Sequence, residues 1–176
     1  MLRKSAREYY RQPKANCTAW SYFVPAKAGR EPVLTGLEVY TTKKALQEQL
    51  NDPKYFQPYH ETVKREELYS KPEDLEAWFL KSGFIARSSS RQEGGGKTLV
   101  SVTRLVSAGK ACEEEKTILT ALSDFAGWVR ASEPGVPTYA VFTRPKATNE
   151  VLLVVRYANG KALKSHDQAP EHQNLM

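Results

Sequence analysis

Polar and apolar positions alternate over residues 98–106, with Val100, Val102 and Val106 on one face, the period of a half-buried strand. Gly109 breaks the pattern. Glu113, Glu114 and Glu115 then place negative charge where a helix N-terminus favours it. Ile118, Leu122, Phe125 and Val129 follow as one apolar stripe of a helix, which Pro134 and Gly135 end. Residues 138–144 read as a second strand, 145–149 as a turn, and 151–157 as a third strand, so uniformly apolar that it belongs in the middle of a sheet. Asn159 and Gly160 turn the chain into a last helix carrying Ala162 and Leu163. The order is β-α-β-β-α.

The first half begins with a short helix over residues 2–11. A strand follows over 18–24, with Trp20, Tyr22 and Val24 on one face. A loop spans 25–32, a strand 33–40 and a helix 43–50. Asp52-Pro53 has the form of a cap with a first-turn proline, and Tyr55, Phe56, Tyr59 and Val63 then share a helical face. Ser70-Lys71-Pro72-Glu73 is a capping-box pattern; Leu75, Trp78 and Phe79 give the helix it predicts an apolar face, and Gly83 stops it. The Ser- and Gly-rich stretch 88–96 reads as a flexible linker.

The halves also match each other. An offset of 117 pairs Tyr40 with Tyr157, Lys44 with Lys161, Ala45 with Ala162, Leu46 with Leu163 and Pro53 with Pro170. An offset of 119 pairs residues 18–23 with 137–142. The change of offset falls in the strand-turn-strand segment, where insertions are tolerated. The match predicts an internal duplication. The first copy has no counterpart to the strand 98–106 and the second none to Glu67-Leu68-Tyr69, so a segment of a longer tandem protein is expected, with a truncated gene product or a genuinely short variant as the alternatives.

The chain of 176 residues has an ordinary globular composition, 40% apolar and 26% charged. No window is apolar enough for a membrane span, and the basic N-terminus leads into no apolar stretch of a secretory signal. Two cysteines form no C-x-x-C pair and read as reduced thiols of a cytoplasmic protein; three scattered histidines make no metal site. The net charge of +6 is spread without a basic run, which argues against nucleic acid as a partner. G-x-G-x-x-G, P-loop, H-E-x-x-H and G-x-S-x-G motifs are absent. Gly94-Gly95-Gly96-Lys97-Thr98 lacks both the upstream glycine and the following helix of a phosphate loop.

A β-α-β-β-α-β repeat is the ferredoxin-like unit. Glu38-Val39-Tyr40, Ala45-Leu46 and Gln49 resemble the Glu-x-Trp, Ala-Leu, His spacing of the antibiotic biosynthesis monooxygenase domain. In the second copy these positions read Val155-Arg156-Tyr157, Ala162-Leu163 and His166, and the family's Glu-Pro-Gly element followed by a strand with Tyr is matched by Glu133-Pro134-Gly135 and Tyr139. Each copy holds half of the motif: the first keeps the acid Glu38 and has Gln49 for His, and the second keeps His166 and has Val155 for the acid.

The resemblance implies an α+β fold, a tandem, fungal-type member of the dimeric α+β barrel superfamily. Two ferredoxin-like repeats with antiparallel sheets would pack face to face. The first is expected over 1–91 without its first strand, and the second over 98–176 without its last, joined by a linker at 92–97. It further implies cofactor-independent oxygenation of an aromatic polyketide or quinol, with a small aromatic substrate and dioxygen as the partners. The substrate supplies the electrons, so the protein must hold an aromatic plate, take a proton and stabilise the anion away from bulk water.

His166 is the candidate base, or else a hydrogen-bonded structural histidine. Tyr139 and Arg156 complete the expected catalytic set, Arg156 either holding an anionic substrate or reaching solvent from a strand end. Trp20, Tyr22, Glu38 and Tyr157 are the expected substrate-binding residues, with core packing or a helix cap as the alternatives. Two further functions fit the same residues: a non-catalytic tandem barrel that binds a small hydrophobic ligand or serves assembly, and a haem-handling relative with His166 as axial ligand. A sheet lacking an edge partner is expected to self-associate, as a homodimer, through that edge.

Overall fold

A computed structural model describes residues 1–27, 33–87, 98–107, 111–144 and 147–175. The linker 92–97, the break at Gly109, the side chains of Glu113, Glu114 and Glu115, and parts of the loops at 25–32 and 145–149 lie outside the described residues. The chain is α+β with antiparallel sheets and divides into two compact units, Met1–Leu75 and Glu76–Met176.

The first unit runs α1 (Leu2–Tyr10), a 3-10 turn (Pro13–Ala15), β1 (Cys17–Phe23), β2 (Thr35–Tyr40), α2 (Lys43–Leu50) and α3 (Gln57–Arg65). β1 and β2 pair antiparallel with Trp20 opposite Glu38 and Tyr22 opposite Gly36, which puts Trp20, Tyr22, Glu38 and Tyr40 on one face. Ala6 and Tyr9 of α1 pack with Ala15, Phe56 and Tyr59 into a small core, dominated by aromatic edges. The Asp52 carboxylate accepts from the backbone N–H groups of Lys54 and Tyr55, as its capping position predicts, although regular helix begins only at Gln57.

The second unit runs β3 (Phe79–Phe84), β4 (Leu99–Val106), α4 (Ala111–Ser132), β5 (Thr138–Arg144), β6 (Ala147–Tyr157), α5 (Gly160–Asp167) and α6 (Pro170–Leu175). Its four strands lie in the order β3-β5-β6-β4, so the apolar β6 is central as its sequence requires. The predicted stripe of α4 is what packs: Leu122, Phe125, Ala126 and Val129 meet Tyr139, Val141, Val151, Val155 and Tyr157 of the sheet. The Arg87 guanidinium closes the C-terminal end of α4. It donates to the carbonyls of Val129 (2.9 Å), Arg130 (2.7 Å), Glu133 (2.9 Å) and Val136 (2.9 Å), tying the last turn of the helix to the turn that follows it.

Residues 70–83 are not the expected helix. Residues 72–78 form no regular structure, and 79–84 form β3, hydrogen-bonded along β5. Gly83 does not stop a helix; it sits at φ +86°, where a Cβ would lie 2.1 Å from the Tyr139 carbonyl oxygen. Only a residue without a Cβ lets the two backbones approach this closely. Residues 76–87, expected in the first repeat, therefore belong to the second unit, and β3 takes the sheet position beside β5.

Taken separately, the two units repeat details of backbone geometry. Tyr139 lies opposite Val155 and Val141 opposite Leu153, the register of Trp20–Glu38 and Tyr22–Gly36 at the offsets of 119 and 117. The Thr41 N–H donates to the Asn16 carbonyl (3.0 Å), and the Ala158 N–H to that of Gly135 (2.9 Å). Thr42 caps α2 by accepting from Ala45 N–H (3.1 Å), and Asn159 caps α5 by accepting from Ala162 N–H (3.0 Å). Gln49 and His166, at equivalent places, are both 2% exposed. Among the described residues no helix is long and apolar enough to cross a membrane.

Candidate functional site

α5 starts at its Asn159 cap and carries His166 in its last turn, against the sheet. The turn after α4 brings Glu133 to meet it: a Cβ on Gly135 would lie 2.9 Å from that of Ala162, so glycine lets this turn sit directly on α5. The His166 Nδ1 and Glu133 Oε2 are 2.6 Å apart. With Nδ1–H donating to the carboxylate, Nε2 carries the free lone pair, and the carboxylate orients the ring.

The imidazole is enclosed by rings: Tyr157 at 5.3 Å, Phe125 at 5.7 Å, Tyr139 at 6.3 Å and, from α6, His172 at 4.6 Å between centroids. Burial holds the Tyr139 and Tyr157 phenols above the usual tyrosine range, reinforced by the negative charge of Glu133, so both remain O–H donors. The Tyr139 hydroxyl is buried and makes no hydrogen bond among the described residues. A buried hydroxyl without a partner is costly, and here it belongs to a ring that lies against His166.

Arg156 is not part of this group. Side chains alternate along β6, so with Val155 and Tyr157 facing α4 and α5, Arg156 projects from the other face, between Thr138 and Val100. Its Nε is buried without a partner among the described residues, and desolvation pulls the guanidinium below its usual range. His166, Tyr139 and Tyr157 are thus brought together, and Arg156 is separated from them by the sheet.

Trp20, Tyr22 and Glu38 form a second cluster, within the first unit. Tyr22 and Tyr40 both donate their hydroxyls to the Glu38 carboxylate, Tyr40 at 2.7 Å, and the Tyr10 and Tyr40 hydroxyls are 2.9 Å apart. Trp20 lies against Tyr10 and Tyr22, at 5.4 and 5.8 Å between centroids. Burial and the Glu38 charge push all three phenols up. Sequence reasoning missed Tyr10 and Tyr40 here, and in the second unit it missed Glu133 as the partner of His166. Among the described residues no group of His, Cys, Asp and Glu could hold a metal ion.

Residues 111–176 match the sequence model of the antibiotic biosynthesis monooxygenase family. The antibiotic biosynthesis monooxygenase match contains Glu133, Tyr139, Arg156, Tyr157 and His166, whereas Trp20, Tyr22 and Glu38 lie outside it. No curated protein matches the chain in sequence.

Two solved structures are similar to it in fold over nearly its whole length. A candidate monooxygenase of Lactobacillus acidophilus NCFM is 17% identical, with a TM-score of 0.69, over 99% of this chain and 76% of that one. A candidate monooxygenase of Fusobacterium nucleatum subsp. nucleatum is 11% identical, with a TM-score of 0.70, over 97% of this chain and 74% of that one. At these identities the likeness concerns the fold.

Proposed function

We propose that the second unit is a monooxygenase centre that oxygenates an aromatic polyketide or quinol with the substrate's own electrons, and that His166 is its base. The observation that carries this reading is the buried His166–Glu133 pair among aromatic rings, beside the unpartnered Tyr139 hydroxyl. His166 Nε2 takes the acidic C–H or O–H proton of the substrate, and Glu133 stabilises the resulting imidazolium. The aromatic anion passes one electron to dioxygen, giving a radical pair that combines to a peroxide. At an anthrone carbon, loss of water from the hydroperoxide leaves a carbonyl, so one substrate and one O2 give one quinone and one water. Tyr139 O–H, and Tyr157 on the same face, are donors for the oxyanion. His172 covers the imidazole from α6, so substrate entry requires this short helix to shift.

The shared register, caps and turn hydrogen bonds support reading the two units as copies of one ancestral half. The first copy has Gln49 in the place of His166, so base chemistry belongs to the second. The test is oxygen uptake with the anthrone dithranol. His166→Ala lowers the rate at least tenfold, a floor set below the about 10²–10⁴ that a positioned base contributes. An unchanged rate removes His166 from the mechanism.

A further inference from the structure

The Glu38 cluster of the first unit is not something the fold demands. At the places of Tyr22 and Glu38 the second unit has Val141 and Val155, both fully packed in its core with the same strand register. Taking a carboxylate even partly out of water costs stability unless its oxygens are satisfied, and in the first unit two phenols donate to the half-buried Glu38. A scaffold that accepts two valines here therefore carries a carboxylate and phenols for a chemical reason.

That reason lies in the rings around them. Tyr55, Tyr9, Tyr10, Trp20 and Tyr22 form an unbroken series, with successive centroids 6.4, 5.5, 5.4 and 5.8 Å apart, and Tyr40 lies 6.3 Å from Tyr10. Phenols and indoles are among the side chains most readily oxidised by one electron. A phenol can lose that electron near neutral pH only if its proton leaves at the same time, which requires an acceptor within hydrogen-bond reach. Glu38 is such an acceptor for two phenols at once.

We infer that the first unit is a one-electron relay, in which Tyr22 and Tyr40 are oxidised through the Tyr10–Trp20 ring series while Glu38 takes the proton. With an organic peroxyl radical as oxidant the step balances. The O–H bond of Tyr22 or Tyr40 breaks, its proton goes to the Glu38 carboxylate, its electron reduces the peroxyl radical to a peroxide anion, and a neutral tyrosyl radical remains. This role is independent of His166.

The test uses hexachloroiridate(IV) as oxidant on the full chain, with stopped-flow absorbance and rapid-freeze electron paramagnetic resonance as readouts. The wild type gives a fast phase ending in a tyrosyl radical, slower in D2O than in H2O. Glu38→Gln slows that phase at least about tenfold, the loss expected when a positioned proton acceptor is removed. The Tyr22→Phe/Tyr40→Phe pair abolishes it. A wild-type rate in either variant, or equal rates in H2O and D2O, overturns the proposal; the isotope comparison needs no variant to fold.

Discussion

Gly83→Ala is expected to be the most damaging single methyl addition in the second unit. The glycine sits at φ +86°, where an L-residue costs about 1–2 kcal/mol. Its Cβ would also lie 2.1 Å from the Tyr139 carbonyl oxygen, well inside contact distance, and backbone cannot swing aside as a side chain can. β3 must then part from β5 around the Phe84–Tyr139 pair. Losing one or two ladder hydrogen bonds adds about 1 kcal/mol each. The total is about 2–4 kcal/mol, in the upper part of the usual spread for single substitutions. The matched control is Gly127→Ala, in the middle of α4 with open space around it, where removing a helix glycine gains up to about 1 kcal/mol. Urea unfolding followed by far-ultraviolet circular dichroism measures both. A Gly83→Ala protein within about 0.5 kcal/mol of wild type would refute the close approach of β3 to β5.

Replacing Arg87 by Met removes donors from four backbone carbonyls at the end of α4; a loss of about 2–4 kcal/mol in the same unfolding assay is expected. Glu150 is held below the usual carboxylate range, first by its hydrogen bond from Arg104 and then by the charges of Arg104 and Arg144. Its contribution to stability is therefore complete above the unfolded-state value of about 4.3 and is lost as pH falls through the lower folded value. Acid titration of Glu150→Gln, against wild type, should show a shallower loss of stability in that window. β4 has β6 as its one strand neighbour among the described residues and exposes Val102 and Val106. Self-association through this edge is expected in light scattering, and Val102→Lys should weaken it.

The parts of the fold legible in the sequence are those set by local periodicity. The α4 stripe, the apolar β6 and the caps at Asp52 and Asn159 each depend on residues a few positions apart. β3 was not legible, because Leu75, Trp78 and Phe79 also satisfy helical spacing; what makes 79–84 a strand is β5, which begins at Thr138, far along the chain. His166 stood out as an ionisable residue near a motif, but its partner Glu133 lies 33 positions away, beyond any local pattern. Tyr10 reaches Tyr40 across 30 positions and gave no signal beyond being an aromatic on a short helix. Arg156 joins the expected catalytic set on residue type alone, as a cation on a strand next to Tyr157. The alternation of β6 sends it to the opposite face.

The proposal for His166 separates proton removal from oxygen chemistry, and the two can be observed apart. Mixing the protein with dithranol without oxygen, and following the absorbance of the anthrone anion, reads the first step alone. The account predicts that the wild type accumulates the bound anion, that Glu133→Gln accumulates less, and that His166→Ala gives none above buffer. Equal anion in the wild type and His166→Ala would contradict it.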